Sequence, residues 1–312
     1  MEEVMLSIYV PTYYHEKYIA QALDSILMQK TQYTYEVLIG DDASGDRTPE
    51  ILRSYQKQYP SKFKVFYREH NMNGSPCNNG QDLLKRCKGK YIICLEGDDY
   101  WISEDKIEKQ ITFLENHPDY MAVAHNCVVV DENSQIKNET YPECKEEEYT
   151  LQHFASDILP GQMTTIMVRN YVKDPEFDST LIFENLLPVD RFIVFSIISY
   201  GRVYCIQENM SAYRHVVKEG KSFSATNTYN FERSQKWHAL LLNYALKLGK
   251  KDSIQYAELI YLHALVEGCV YKEIAIWQIM QYMKNIPHKS RTLYFYFKRF
   301  INKNILHKTI WY

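Results

Sequence analysis

The sequence predicts an α/β fold, with a mostly parallel sheet covered by helices on both faces, followed by a helical C-terminal region. Three observations predict it. Strand-like and helix-like patterns alternate over roughly the first hundred residues. Acidic pairs directly follow two of the predicted strands, at Asp41–Asp42 and at Asp98–Asp99. After about residue 228 the apolar spacing becomes purely helical.

The elements of the first part follow in order. Predicted strands are LSIYVPTY, YEVLIGDD, FKVFYRE and YIICLEGDD, and the helices between them are EKYIAQALDSILMQ, TPEILRSYQKQYP and NGQDLLKRCKGK. Thr48 is the predicted N-cap of the second helix, with Pro49 in its first turn and Pro60 beyond its end. Ser103 is the predicted N-cap of a fourth helix. Strands and helices in this order predict parallel strands joined by crossover helices.

The pattern is less regular between residues 120 and 225. Three further strands are predicted, MAVAHNCVVV, TTIMVRN and GRVYCIQ, together with a buried helix VDRFIVFSIISYG that begins near Asp190. The segment WHALLLNYALKLG then predicts a helix that ends at Gly249. We therefore expect a catalytic domain over residues 1–225 and a helical region over 226–312.

The amino-acid composition favours an ordinary globular protein and argues against several other classes. The apolar fraction of 46% and the charged fraction of 24% are ordinary for a globular protein of 312 residues. The formal net charge of −3 argues against a nucleic-acid binder. The seven cysteines contain no CxxC pair and predict reduced thiols in the cytoplasm. The N-terminal segment MEEVMLSIYV lacks the basic start of a signal peptide, and the longest apolar runs are too short to span a membrane.

The acidic pairs are the candidate chemical site. Ligands bind beyond the carboxyl ends of the strands in a parallel sheet, and both pairs fall at that edge. The chain has neither a GxGxxG fingerprint nor a P-loop. Carboxylates that hold Mg²⁺ or Mn²⁺ offer another way to bind a nucleotide diphosphate. Taken alone, Asp41 and Asp42 are equally consistent with a simple turn before a helix.

Four segments, in this order, resemble the family 2 glycosyltransferases of the GT-A fold: IYVPTYYHEKYIAQALDSILMQ, YEVLIGDDASGDRTPEIL, NGQDLLKRCKGKYIICLEGDDYW and LPVDRFIVFSIISYG. The resemblance covers about residues 4 to 225. It implies an enzyme that uses a UDP-sugar and a divalent metal, Mn²⁺ or Mg²⁺. The nucleotide-binding residues that it implies are Pro11, Tyr13, Asp42 and Asp98, and the metal ligand is Asp99.

The same resemblance implies the remaining roles. Asp190 matches the general base of inverting members, although an acid at a helix N-terminus is also favourable without any catalytic role. Arg214 and His215 resemble an element near the diphosphate, but the spacing differs from that of the family. Two further departures are Tyr14, where an asparagine is common, and Glu96-Gly97 before the aspartate pair. The implied acceptor is a glycan or a lipid-linked saccharide in surface polysaccharide synthesis.

The C-terminal segment 284–312 contains seven lysines or arginines, no acidic residue and several aromatic residues. This pattern favours binding to the inner face of a membrane over the alternatives, a solvated tail or a protein contact.

Two other functions fit part of the pattern. One is an inactive GT-A-like protein that binds nucleotide or glycan as an assembly partner. The other is a nucleotidyltransferase, but such enzymes typically carry a glycine-rich loop after the first strand, where VPTYYHEKY has no glycine.

Overall fold

The structure is a computed structural model, and it describes residues 3–72, 77–184, 189–216 and 230–304. The chain divides into two compact units. The first comprises residues 1–149, 159–185 and 200–216, and the second comprises 150–158, 186–199 and 217–312.

The first unit is built on one mixed sheet in the order β3-β2-β1-β4-β8-β6-β9-β5, with β7 paired to β9. The four strands β1 to β4 are parallel to their neighbours in this group, and β8 then runs antiparallel to β4. The predicted α/β class is therefore confirmed. The strands are β1 (Leu6–Thr12), β2 (Tyr35–Asp41), β3 (Phe63–Tyr67), β4 (Tyr91–Cys94), β5 (Tyr100–Trp101), β6 (Tyr120–Val130), β7 (Glu148–Tyr149), β8 (Met167–Arg169) and β9 (Arg202–Arg214).

Helices connect the parallel strands as the apolar spacing predicts. The core of the unit is formed by β1, whose first five residues are fully buried, together with the apolar faces of the first and fourth helices. The helices of this unit are α1 (Ile19–Leu27), α2 (Thr48–Gln58), α3 (Asn79–Arg86) and α4 (Lys106–Asn116).

Two helix starts differ from the prediction. Ser103 does not cap α4: its hydroxyl donates to the Asp105 carboxylate, and Asp105 is the residue that precedes the helix. The helix α2 begins at Thr48 itself, one residue before the predicted start. In both cases a nearby aspartate binds a group of the predicted cap residue. Asp46 accepts the backbone N–H of Thr48, and Asp105 accepts the hydroxyl of Ser103.

The second unit is helical. Its helices are α5 (Leu151–Phe154), α6 (Val189–Tyr200, whose last residue belongs to the first unit), α7 (Phe231–Leu248), α8 (Lys251–Val270), α9 (Ile276–Tyr282) and α10 (Lys289–Asn304). The predicted stop of α7 is confirmed, because Gly249 adopts a left-handed φ of 73°. Phe192 of α6 stacks on Trp237 of α7 at 4.6 Å between ring centroids. Over the described ranges, no helix has the length and apolar character needed to cross a bilayer.

Candidate active site

The loops after β1 and β4 leave the sheet side by side, because these two strands are parallel neighbours. The pairing continues past the strands: the Gly97 N–H donates to the Pro11 carbonyl at 3.1 Å. A Cβ on Gly97 would lie 2.7 Å from Nδ1 of His15 and 2.8 Å from Oγ1 of Thr12. Glycine at position 97 therefore lets the acidic loop pack against the first loop.

Three carboxylates meet in this loop. Oxygen atoms of Glu96, Asp98 and Asp99 all lie within 4.8 Å of one another. Burial, and then the neighbouring charges of Asp98 and Glu96, raise the pKa of Asp99 well above its usual range. The cluster is a concentrated negative charge at the carboxyl end of β4.

Asp99 is oriented by neutral donors. Its Oδ1 accepts the backbone N–H of Arg214 at 2.7 Å, and its Oδ2 accepts from Nε2 of Gln162 at 3.0 Å. Among the residues that the structure describes, no lysine or arginine side chain forms an ion pair with Asp99. A buried carboxylate normally has a compensating cation. The cluster thus fits a hard divalent cation, which prefers oxygen ligands.

Arg214 contacts protein groups around this loop. Its Nε donates to the Asp98 carbonyl at 2.8 Å, and its Nη2 donates to Oε1 of Gln21 at 2.9 Å. The guanidinium also lies over the Tyr18 ring, 4.4 Å from the ring centroid. In this conformation the buried arginine braces the acidic loop. Its predicted contact with the diphosphate stays a prediction.

His215 pairs with an acid outside the cluster. Its Nδ1 lies 2.7 Å from Oε2 of Glu139, and its ring stacks on Tyr213. Nothing in this contact tests the predicted diphosphate role of His215.

The acidic pair after β2 divides into two different environments. Asp42, the predicted uracil contact, accepts the Met72 N–H at 2.9 Å through Oδ1. Asp41 is buried, and its own Oδ1 has no hydrogen-bond partner in the described part of the chain. Burial raises the pKa of Asp41, although Ser44 opposes the rise. The family resemblance assigns no role to Asp41, although the acidic pair at the candidate site contains it.

The segment after β1 carries exposed tyrosines on strained backbone. Tyr13, the predicted stacking residue, is 44% exposed, so its ring is available to a ligand. Tyr14 has a φ of 58°, and Ala43 at the end of β2 has a φ of 61°. Asparagine, which the resemblance leads one to expect at this position, tolerates this left-handed region better than tyrosine. Strained residues of this kind concentrate at functional sites.

His15 is a further residue that sequence reasoning missed. Its Nε2 lies 3.8 Å from Oδ2 of Asp98, and its Nδ1 lies 3.1 Å from Oγ1 of Thr12. The only signal in the sequence is a histidine three residues after the strand.

Asp190, the predicted base, lies in the second unit at the start of α6. Its Oδ1 accepts the Arg191 N–H at 2.9 Å, and burial raises the pKa of the carboxyl. Arg191 itself pairs with Asp157 at 2.7 Å. The adjacent arginine side chain is therefore ion-paired with Asp157 rather than with Asp190, and the catalytic role of Asp190 stays a prediction.

Known proteins resemble this chain over most of its length. The crystal structure of Staphylococcus aureus TarS, residues 1–349, in complex with UDP-GlcNAc has the same fold as this chain, with a TM-score of 0.65. The two sequences are 19% identical, and the match covers 91% of this chain and 82% of that chain. The putative teichuronic acid biosynthesis glycosyltransferase TuaG of Bacillus subtilis is 26% identical over 91% of this chain and 97% of its own length.

An uncharacterised protein of Mycobacterium tuberculosis is 30% identical over 217 residues, and this chain spans 58% of that protein's length. The sequence profile of glycosyl transferase family 2 matches residues 7–171. That match includes the loops after β1, β2 and β4 and all three carboxylates of the cluster. The chain therefore belongs to glycosyl transferase family 2.

Proposed function

We propose that this protein is an inverting, metal-dependent glycosyltransferase that uses a nucleotide-sugar, in particular a UDP-sugar. The observation that carries the proposal is the cluster of Glu96, Asp98 and Asp99, with Asp99 buried and oriented by neutral donors. TuaG is named for teichuronic acid biosynthesis and TarS for transfer of N-acetylglucosamine to poly(ribitol-phosphate), which supports a place in surface polysaccharide synthesis. The acceptor that we propose is a glycan or a lipid-linked saccharide.

The donor would be held at the loops after β1, β2 and β4. Pro11 and Tyr13 are proposed to contact the base, with Asp42 pairing to it and Asp98 binding the ribose. Asp99 would hold Mn²⁺ or Mg²⁺, a cation that when bound stabilises the charge of the departing diphosphate. Arg214 and His215 are proposed to lie near that diphosphate.

Asp190 is the proposed general base. It would accept the proton of the acceptor hydroxyl as that oxygen attacks the anomeric carbon, so that the configuration inverts. The raised pKa of its carboxyl makes it a stronger base than an exposed aspartate.

Donor hydrolysis tests this function. The protein is incubated with UDP-, GDP- and dTDP-sugars, with Mn²⁺, Mg²⁺ or EDTA, and the released nucleoside diphosphate is measured. We expect release from one UDP-sugar that requires metal and falls by about 10²–10³-fold in Asp99→Asn. With an acceptor present, Asp190→Asn should lower transfer by about 10²–10⁴-fold while leaving nucleotide binding intact.

The alternatives give different results. Nucleotide binding without any turnover, even with acceptor extracts, would favour the inactive assembly partner. Release of pyrophosphate from a nucleoside triphosphate and a sugar phosphate would favour a nucleotidyltransferase.

We also propose that the C-terminal part, 284–312, contacts the inner face of a membrane. The neighbouring helix α9 exposes Trp277 at 62% and Ile276 at 79%, and the chain has no acidic residue after Glu273. Apolar and basic groups together suit a surface of anionic lipid.

Vesicle flotation tests this surface. Trp277→Ser should weaken binding to phosphatidylglycerol vesicles, whereas Ile136→Ser, a matched exposed position in the first unit, should not. Equal binding to phosphatidylcholine vesicles would argue against a preference for anionic lipid, and absence of binding to either vesicle, or equal effects of both variants, would argue against a membrane surface in this region.

A further inference from the structure

Gln162 contacts the acidic cluster and is not among the residues that the sequence singles out. Its side chain is buried, and its Nε2 donates to Oδ2 of Asp99 at 3.0 Å and to Oε2 of Glu96 at 3.1 Å. One amide group therefore bridges two of the three carboxylates.

The orientation of this amide is fixed from the other side. Its Oε1 accepts both the backbone N–H and the Oγ1–H of Thr164, each at 2.6 Å. A flipped amide would turn its oxygen toward two carboxylates and its N–H₂ toward two donors. Both changes would be unfavourable, so only one orientation satisfies the site.

Thr164 is in turn held by the strand that follows the cluster. Its carbonyl accepts from Nε1 of Trp101 at 3.2 Å, and both residues are fully buried. Trp101 lies two positions after Asp99 in the sequence. The contacts thus form a closed path from the acidic loop through Trp101, Thr164 and Gln162 back to the same loop.

The chemical type of Gln162 is informative. A lysine or arginine at this place would hold the carboxylates but would also neutralise them, and an apolar residue would leave them without a donor. A neutral donor orients the two carboxylates without adding a positive charge that would compete with a bound cation.

We propose that Gln162 is a positioning residue for a divalent cation, acting through Asp99 and Glu96 rather than by direct ligation. The inference rests on the proposed function, because it assumes that the acidic cluster binds the metal. In this proposal the segment before β8, which contains Gln162, sets the spacing between the carboxylates of Asp99 and Glu96.

The test measures Mn²⁺ binding directly, by electron paramagnetic resonance of free Mn²⁺, in addition to donor hydrolysis. Gln162→Met keeps the length of the side chain and removes both donors. We expect its Mn²⁺ affinity to fall by about 10–100-fold, the range for lost outer partners of metal ligands. Thr164→Val, which removes only the hydroxyl that orients the amide, should give a smaller loss of the same kind.

Gln162→Lys separates positioning from simple structural support. It can retain hydrogen bonds to the carboxylates but brings a positive charge to the cluster. We expect Mn²⁺ affinity to fall at least as far as in Gln162→Met, while the thermal midpoint of the metal-free protein stays at or above the wild-type value. Loss of Mn²⁺ affinity in Gln162→Lys together with unchanged affinity in Gln162→Met would show that added charge alone, and not positioning by the amide, controls metal binding.

Gln29→Met is the matched control. Gln29 is another buried glutamine of the first unit, and its amide bonds to the Ser103 carbonyl and the Ile107 N–H, away from the carboxylates. It should lower the thermal midpoint without changing Mn²⁺ affinity. Equal Mn²⁺ affinity in wild type and Gln162→Met, with wild type binding the metal, would overturn the inference alone. Absence of Mn²⁺ binding in the wild type would overturn the proposed metal site and the inference with it.

Discussion

Two buried carboxylates, one in each unit, have opposite surroundings. Asp99 of the first unit lies beside two further acids, and burial together with those charges raises its pKa. Glu258 of α8 in the second unit is also fully buried. It contacts Nδ1 of His288 at 2.8 Å, Nη2 of Arg291 at 3.1 Å and Oγ1 of Thr292 at 2.8 Å.

These partners reverse the direction in which the pKa of Glu258 is shifted. Burial alone would raise its pKa, but the hydrogen bonds from His288 and Thr292 lower it overall. Glu258, the buried acid that joins α8 to α10, thus has cationic hydrogen-bond partners. The hydrogen-bond donors to Asp99 are a backbone N–H and an amide, and the Arg214 charge only partly offsets the rise in its pKa. The difference teaches that ion pairs hold Glu258 in place, whereas the surroundings of Asp99 fit the external cation proposed above.

Removing Glu258 should have the largest effect on stability. Glu258→Ala leaves Arg291 and His288 without their buried partner, so we expect the free energy of unfolding to fall by about 3–5 kcal/mol. Urea denaturation measures it, with Glu273→Ala, an exposed acid of the same unit, as the control. An unchanged midpoint in Glu258→Ala would break the comparison.

Adding Mn²⁺ should stabilise the protein through Asp99, the other carboxylate of the comparison. At a Mn²⁺ concentration 100 times the dissociation constant, binding to the native state adds about 2.7 kcal/mol of stability. We expect thermal unfolding to show this increment in wild type and in Glu258→Ala, but not in Asp99→Asn. The same increment in Asp99→Asn would place the metal elsewhere.

Crowding at Gly97 sharpens the comparison within the first unit. Gly97→Ala must displace His15 or Thr12, which we expect to cost about 1–3 kcal/mol and to weaken donor hydrolysis as well. Gly249→Ala is the control: its φ of 73° also costs stability, but no atom lies within 4 Å of the added Cβ. It should leave donor hydrolysis unchanged, so equal losses of hydrolysis would contradict the role of Gly97.

The smallest expected effect is a pH dependence of opposite sign at the two carboxylates. Because the folded-state pKa of Glu258 is lowered, its contribution is present above about pH 4.3 and is lost as the pH falls through the folded pKa. We expect Glu258→Gln to be about 1–2 kcal/mol less stable than wild type near neutral pH. That gap should close in acid.

The raised pKa of Asp99 implies the opposite pH dependence of stability. The contribution of Asp99 to the free energy of unfolding is present below about pH 3.9 and is lost as the pH rises through its pKa in the folded state. Urea denaturation of wild type and Glu258→Gln across this pH range measures the gap, and a gap that stays constant in acid would contradict the assignment to Glu258.

The sequence by itself determined the alternating α/β order, the end of α7 at Gly249 and the position of acidic residues after β2 and β4. These features follow from apolar periodicity, from the turn chemistry of glycine and proline, and from the rule that parallel strands end at one edge. They are local, so a single chain reveals them. It did not reveal that Asp46 and Asp105 alter the starts of α2 and α4.

Only the tertiary structure decided how the acidic site is supported. Gln162 lies 63 positions from Asp99 in the chain, and Arg214 lies 115 positions away, yet both donate hydrogen bonds to its carboxylate. The Asp41 oxygen that has no partner among the described residues and the approach of His15 to Asp98 likewise depend on packing. No local pattern encodes such contacts, because burial and long-range pairing decide which polar group receives a partner.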